Sequence, residues 1–286
     1  MSPRHLTAAM AVVVAVGTLT ACGGGHGRQS VLFPASERPE SRSPAPTGAV
    51  PLAELTDGEE ILARANRAAA QLASARMEME GTLDGEPFLS MGLRGDQDGS
   101  CAALMTAETQ SMQFRQHAED LWVQFNAEML SESGGPEELA GTWLHAPADD
   151  AGSELAAFAE LCDDPEGFLP VIEVPGNATA MTVTPSDDGG HVEVSWNQAQ
   201  DGVEGTNTVR ITADGTDLLV RTETIAEVPG GTVRYLASWS EFDEPVGITP
   251  PDPGSVVEFD DLAEELGDLP YFGEGIIPAA YTDEPG

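Results

Sequence analysis

The alternation of apolar and polar positions divides the chain into four stretches. Residues 6–19 are apolar almost throughout, behind a single basic residue, Arg4. From Gly23 to about residue 51 no hydrophobic period appears, and the Gly/Ser/Pro/Arg-rich composition reads as a disordered tether. Ile61, Ala65, Ala68, Ala69 and Leu72 then recur at helical spacing, with Arg64, Arg67 and Gln71 turned elsewhere. That spacing predicts an amphipathic helix over 56–75, opened by the capping-box pattern Thr56-Asp57-Gly58-Glu59. Its apolar side is mostly alanine, small enough to lie close against a sheet.

The period then switches to two. Met77, Met79 and Leu83 alternate with Glu78, Glu80 and Thr82; Asp84-Gly85 turns the chain, and Leu89, Met91 and Leu93 alternate again. Asp98-Gly99 turns before a strand at 101–106, and strands follow around Met112 and Phe114 and at 121–125. Asp96-x-Asp98-Gly99 has half the pattern of a calcium loop and none of the remainder, so it reads as a hairpin turn. From Pro136 the pattern becomes helical and loop-like, with a turn at 136–140 and a helix capped by Ser153 that carries Leu155, Phe158, Ala159 and Cys162. Strands return at 180–184, 191–197, 206–212, 218–226 and 232–239, separated by Asp/Gly turns. Short connections between neighbours predict an antiparallel meander. The order helix, five strands, helices, five strands predicts one α+β domain over 56–250. Val256, Val257, Phe259, Leu262 and Leu266 among acids mark a short amphipathic helix in a tail, 251–286, that is otherwise expected to be flexible.

The apolar start has a second feature. Leu19-Thr20-Ala21-Cys22 closes it with small residues and a cysteine, so residues 1–21 read as a secretory signal and the motif resembles the lipobox of bacterial lipoproteins. That resemblance implies that Cys22 is lipidated and becomes the mature N-terminus, on the outer face of the cytoplasmic membrane; an ordinary signal peptide is the plainer alternative. The run is short for a spanning helix. With Cys22 so used, Cys101 and Cys162 remain as an even pair in an oxidising compartment and are expected to form a disulfide.

Charge narrows the functions. Lysine is absent, the 12 basic residues are all arginine, and 49 Asp and Glu give a net charge of −37. Residues 56–250 hold 36 of the acids against 8 arginines. A polyanion neutralises no phosphates, which argues against nucleic acid as a partner, and anionic lipid repels it within about a Debye length, roughly 8–10 Å. The lipid on Cys22 would have to do the anchoring. His26, His117, His145 and His191 are scattered with no metal-ligand spacing, and neither a nucleophile elbow nor a phosphate-cradling loop occurs. No enzyme activity, metal or cofactor is therefore expected.

The lipobox, the Pro/Ser tether and the helix leading into a strand meander resemble the LppX/LprG type of actinobacterial lipoprotein, within the wider LolA/LolB-like group. Ala140-Gly141-Thr142-Trp143-Leu144, the Cys101 and Cys162 pair, and Ser240-Glu241-Phe242-Asp243-Glu244-Pro245-Val246 running into Pro250-Pro251 carry the likeness. It implies a strongly curved antiparallel sheet, an incomplete barrel of about ten strands with helices packed on its concave face. It also implies a lipid-like ligand held between sheet and helices. Met77, Met79, Leu89, Met91, Met112 and Phe114 are the candidate lining, because methionine adapts to varied apolar shapes; ordinary core packing is the competing role. A tethered sensor or interaction module with a filled core is the competing function.

Overall fold

A computed structural model describes residues 50–148, 162, 168–174, 178–200, 203–228 and 230–262. Helix α1 (Gly58–Ala69) precedes five strands, β1 (Ser74–Leu83), β2 (Glu86–Asp96), β3 (Cys101–Ala107), β4 (Gln110–His117) and β5 (Asp120–Phe125). A short helix α2 (Ala127–Ser133) and β6 (Trp143–Pro147) follow. The second half comprises β7 (Thr179–Pro185), β8 (His191–Gln200), β9 (Val203–Thr212), β10 (Leu219–Val228) and β11 (Gly231–Ser240), and β12 (Val256–Glu258) comes last.

All twelve strands form one curved, unclosed sheet, ordered β12-β6-β5-β4-β3-β2-β1-β11-β10-β9-β8-β7. Two antiparallel meanders meet where β1 pairs β11, and only β12 runs parallel to its neighbour, β6. Turn chemistry sets the first register: Asp84 (φ 51°) and Gly85 (φ 87°) are both left-handed, as a two-residue primed turn requires. Asp96 accepts the backbone N–H groups of Asp98 and Ser100, so the Asp-Gly stretch is the hairpin turn expected.

The sheet has twelve strands, two more than the ten expected. The extra two, β6 and β12, pair with each other. Residues 256–258, expected to begin a helix, are strand because they extend the β6 edge. Helix α1 is shorter than 56–75: the chain enters β1 at Ser74, where ladder bonds to β2 replace helical ones. Its cap is Asp57, which accepts from the N–H groups of Glu59 and Glu60, rather than the Thr56–Glu59 box. Helix α2 was not expected, whereas 136–140 is only a single 3-10 turn, Glu137–Leu139. The helix expected at 153–162 lies outside the described residues except Cys162, as do the tether and the tail beyond 262.

Alternating positions put the core on one face of the sheet, here called inner. Two clusters fill it. In the first, Leu93, Phe114, Leu121, Val123 and Leu144 of the first meander pack with Leu130 of α2, Phe168 and Phe259. In the second, Ile61, Leu62 and Ala65 of α1 pack on Val192, Val194, Val209 and Ile211. Helix α1 therefore lies over β7, β8 and β10, away from the methionine row of β1–β4. Part-buried Arg64 fixes it there, donating through Nε to Asp217 at 3.0 Å. The seam is stapled by residues 168–174. Asn66 of α1 donates to the Ile172 carbonyl at 2.7 Å and accepts its N–H at 2.9 Å, while Trp239 of β11 donates to the Phe168 carbonyl at 3.0 Å.

Candidate functional site

Register places four methionines directly opposite one another across four strands. Met79 of β1 faces Met91 of β2, which faces Met105 of β3, which faces Met112 of β4; Phe125 of β5 continues the row. All lie on the inner face. The next row is Met77, Leu93, Ala103, Phe114 and Val123.

Burial runs down these rows. At the β1 start, Ala75 is 2% and Cys101 0% exposed, and Phe168 covers them. Gly95 makes that possible: a Cβ there would stand 3.0 Å from the Phe168 ring. Met77, Phe114 and Met112 are buried as well, Met112 beside Met129 of α2 in the same cluster. Met79, Met91, Met105 and Leu89 are only half-buried, and Leu83 at the end of β1 is exposed. The inner face is thus sealed at one end and thinly covered at the other. Of the six lining candidates, Met77, Met112 and Phe114 stand in the sealed core, while Met79, Met91 and Leu89 stand at the thin end. Met105, omitted from that set, belongs with the second group; its register opposite Met91 was the signal that could have found it.

Further along the inner face are two buried donors with no acceptor among the described residues. Trp196 of β8 and Asn207 of β9 are register partners, 4% and 8% exposed, and the Trp196 Nε1 and Asn207 Nδ2 lack hydrogen bonds. The Asn207 Oδ1 is satisfied by the Thr224 hydroxyl at 2.7 Å. Unpaired buried donors are costly, about 1–3 kcal/mol each, so the pair can take an acceptor oxygen.

Cys101 and Cys162 are bonded, with Cα atoms 5.5 Å apart, inside the ordinary disulfide range. Cys22 lies outside the described residues. His145 of β6 lies between Asp120, 2.9 Å from Nε2, and Glu258 of β12, 2.7 Å from Nδ1. Burial pulls its pKa down, but the hydrogen bonds to Glu258 and Asp120 outweigh that and raise it above the ordinary value. Among the described residues no group of three or more His, Cys, Asp and Glu is placed to hold a metal ion. Among them, too, no helix is long and apolar enough to cross a membrane.

No family profile and no curated protein matches the chain. Solved structures do. LppX, a lipoprotein of Mycobacterium tuberculosis, is 14% identical with a TM-score of 0.41, over 68% of this chain and 100% of that one. A LolA superfamily protein of Nitrosomonas europaea is 10% identical with a TM-score of 0.25, over 70% and 97%. A DUF1329 family protein of Desulfovibrio piger is 12% identical with a TM-score of 0.22, over 74% and 98%. The first two bear the names of the group that the sequence resembles. With every TM-score below 0.5, these likenesses carry nothing over to this chain.

Proposed function

We propose that the protein is a lipoprotein anchored through Cys22 to the outer face of the cytoplasmic membrane, where it binds or carries an apolar or amphipathic, lipid-like ligand. The observation that carries this reading is the half-buried end of the methionine row. Met79, Met91 and Met105 sit side by side on adjacent strands, unbranched and polarisable, so they can repack around an acyl chain of no fixed shape. A protein interior normally closes over such a row; this one is covered only from Met112 onward. The Asn207 and Trp196 donors lie on the same face, three and four strands from β1 respectively, about 14–19 Å at normal strand spacing. They supply a place for the ligand's carbonyl or carboxylate end.

No step of covalent chemistry is required of these residues, and the protein is read as a carrier rather than an enzyme. Native mass spectrometry of protein expressed in its own host tests the reading: a co-purified lipid is expected, released on unfolding. Protein that leaves the host empty and takes up no lipid in a titration would favour the competing role, a tethered interaction module.

A further inference from the structure

The outer face of the sheet carries a second concavity; Met79, Leu89 and Met91 are also among the residues that line it. It is a depression of about 780 Å³ over β1–β4, within the usual range for small-molecule sites. Its floor is made of small and apolar residues. Nothing lies within 4 Å of where a Gly92 side chain would begin, Gly92 faces Leu104 in register, and Ala102 lies on the adjoining row. Leu104 is 53% exposed, the most exposed large apolar side chain among the described residues. Leu236 of β11 lines the near wall.

The rim is cationic at one end, in a chain with 49 acids and 12 arginines. Arg94 of β2 faces Ala102 of β3, and Ala102 faces Arg115 of β4. The two arginines are therefore rooted about 10 Å apart, with only a methyl group between them. Arg76, opposite Arg94, is already committed to Glu78 at 2.8 Å and Glu241 at 3.2 Å. Arg94 is exposed and has no hydrogen-bond or ion-pair partner among the described residues. Arg115 has no carboxylate there either; it stacks over Trp143 at 4.6 Å and gives one N–H to the Thr249 carbonyl at 3.2 Å, keeping further N–H groups free. Three acids line other parts of the depression: Glu78, paired to Arg76, faces Gly92 on the Leu104 row, Glu80 stands one row further on, and Glu108 is four residues beyond Leu104. An anion is thus drawn to the Arg94 end and repelled from the other.

We propose that this outer groove binds an anionic amphiphile, its carboxylate or phosphate headgroup held by Arg94 and Arg115 above Ala102 and its aliphatic chain laid along Gly92 and Leu104. Charge complementarity selects the headgroup and the apolar floor selects the chain. A free small anion meets only the first condition.

The test uses the protein with Cys22→Ser, so that it carries no lipid of its own, and dodecyl phosphate below its micelle concentration as the probe in calorimetric titration. Arg94→Gln removes an unpaired exposed group and leaves the fold intact, which circular dichroism checks. It should weaken binding about tenfold, the loss of one charge-assisted hydrogen bond. Leu104→Glu should weaken it at least as much, and added salt should weaken it in the unsubstituted protein. Met105→Trp, on the inner face and outside the lining of the depression, removes any binding at the methionine row and should leave the Arg94-dependent binding in place, so failure here is separable from failure of the carrier reading. Equal affinity in Arg94→Gln, loss of the Arg94-dependent binding on Met105→Trp, inorganic phosphate binding as tightly as dodecyl phosphate, or no binding of dodecyl phosphate would each overturn the proposal.

Discussion

Replacing both Cys101 and Cys162 by alanine should destabilise the domain heavily, and the size follows from the fold. The two residues are 61 apart in sequence. Closing a loop of that length removes entropy from the unfolded chain worth about 4 kcal/mol on the chain-entropy account. Both sulfurs are buried, at 0% and 1% residue exposure, so their removal also leaves a void, adding roughly 1 kcal/mol. Stability totals only about 5–15 kcal/mol in ordinary domains, so this is a large fraction. At roughly 2–4 °C per kcal/mol for a domain of this size, the melting temperature should fall by about 10 °C or more. Urea unfolding of the oxidised protein, the reduced protein and the double variant measures it, with reduced and substituted forms expected to lie close together. A local readout exists too. The bridge lies in the same cluster as Phe168, whose carbonyl holds Trp239, so tryptophan emission should shift to the red. A double variant within about 1 kcal/mol of the oxidised protein would refute the argument that covalent closure holds the sealed end.

The remaining predictions concern the other sites. Met91→Trp stands at the thinly covered end and should abolish lipid uptake with little loss of stability, whereas Met112→Trp enters a closed core and should cost about 1–3 kcal/mol; equal melting losses in both would show the row to be packed throughout. His145 has a raised folded pKa, so its contribution is fully present below about pH 6.5, the unfolded value, and is lost as pH rises through the folded one. The gap in urea midpoint between the native protein and His145→Asn should therefore shrink from pH 5.5 to pH 8.5, and a constant gap would contradict the clasp on Glu258. Asn66→Ala removes the paired bonds to Ile172 and should cost about 1–3 kcal/mol, with amide exchange faster at Ile172; unchanged exchange would deny the staple. Cys22→Ala should release the protein to the medium or leave the precursor uncleaved, and a processed variant that still partitions with membranes would sink the anchor.

Ten strands were legible because each carries a two-residue period and most of their short connections hold an Asp-Gly or a similar turn signal. β6 was not. Trp143 and Leu144 are both buried though they point to opposite faces, so the strand shows no alternation. The outer cover there includes the segment after β11, whose Ile248 is buried and whose Thr249 carbonyl meets Arg115, a contact between residues 134 apart. β12 is three residues long and takes its conformation from β6 alone. Helix α2 is seven residues, too short for a period, though Asn126 accepting from the Met129 N–H is a readable cap. The site was half legible. Parity assigned the six candidates to one face, but which of them stay exposed depends on Phe168, Met129 and Gly95, which are distant in sequence from most of the row.

The placement of the covers has a consequence for binding. A sheet of twelve strands that does not close is held by what crosses its middle, and among the described residues α1, which gives Ala69 to the first cluster and Ile61, Leu62 and Ala65 to the second, is joined there by one short segment. Phe168 enters the first cluster beside Gly95, Ile172 is gripped by α1, and Trp239 packs against both clusters at the β1–β11 seam. Strain at this staple is felt in both halves. The half-buried Met79, Met91 and Met105 pack at the margin of the first cluster, one row beyond Met77, Leu93 and Ala103. Local opening concentrates where buried contacts are fewest, so that margin can spread around a ligand while the stapled end keeps the register of the whole sheet. Capacity to bind and resistance to unfolding are thereby separated along the same strands, and a substitution at Met91 and one at Cys101 test different properties of a single surface.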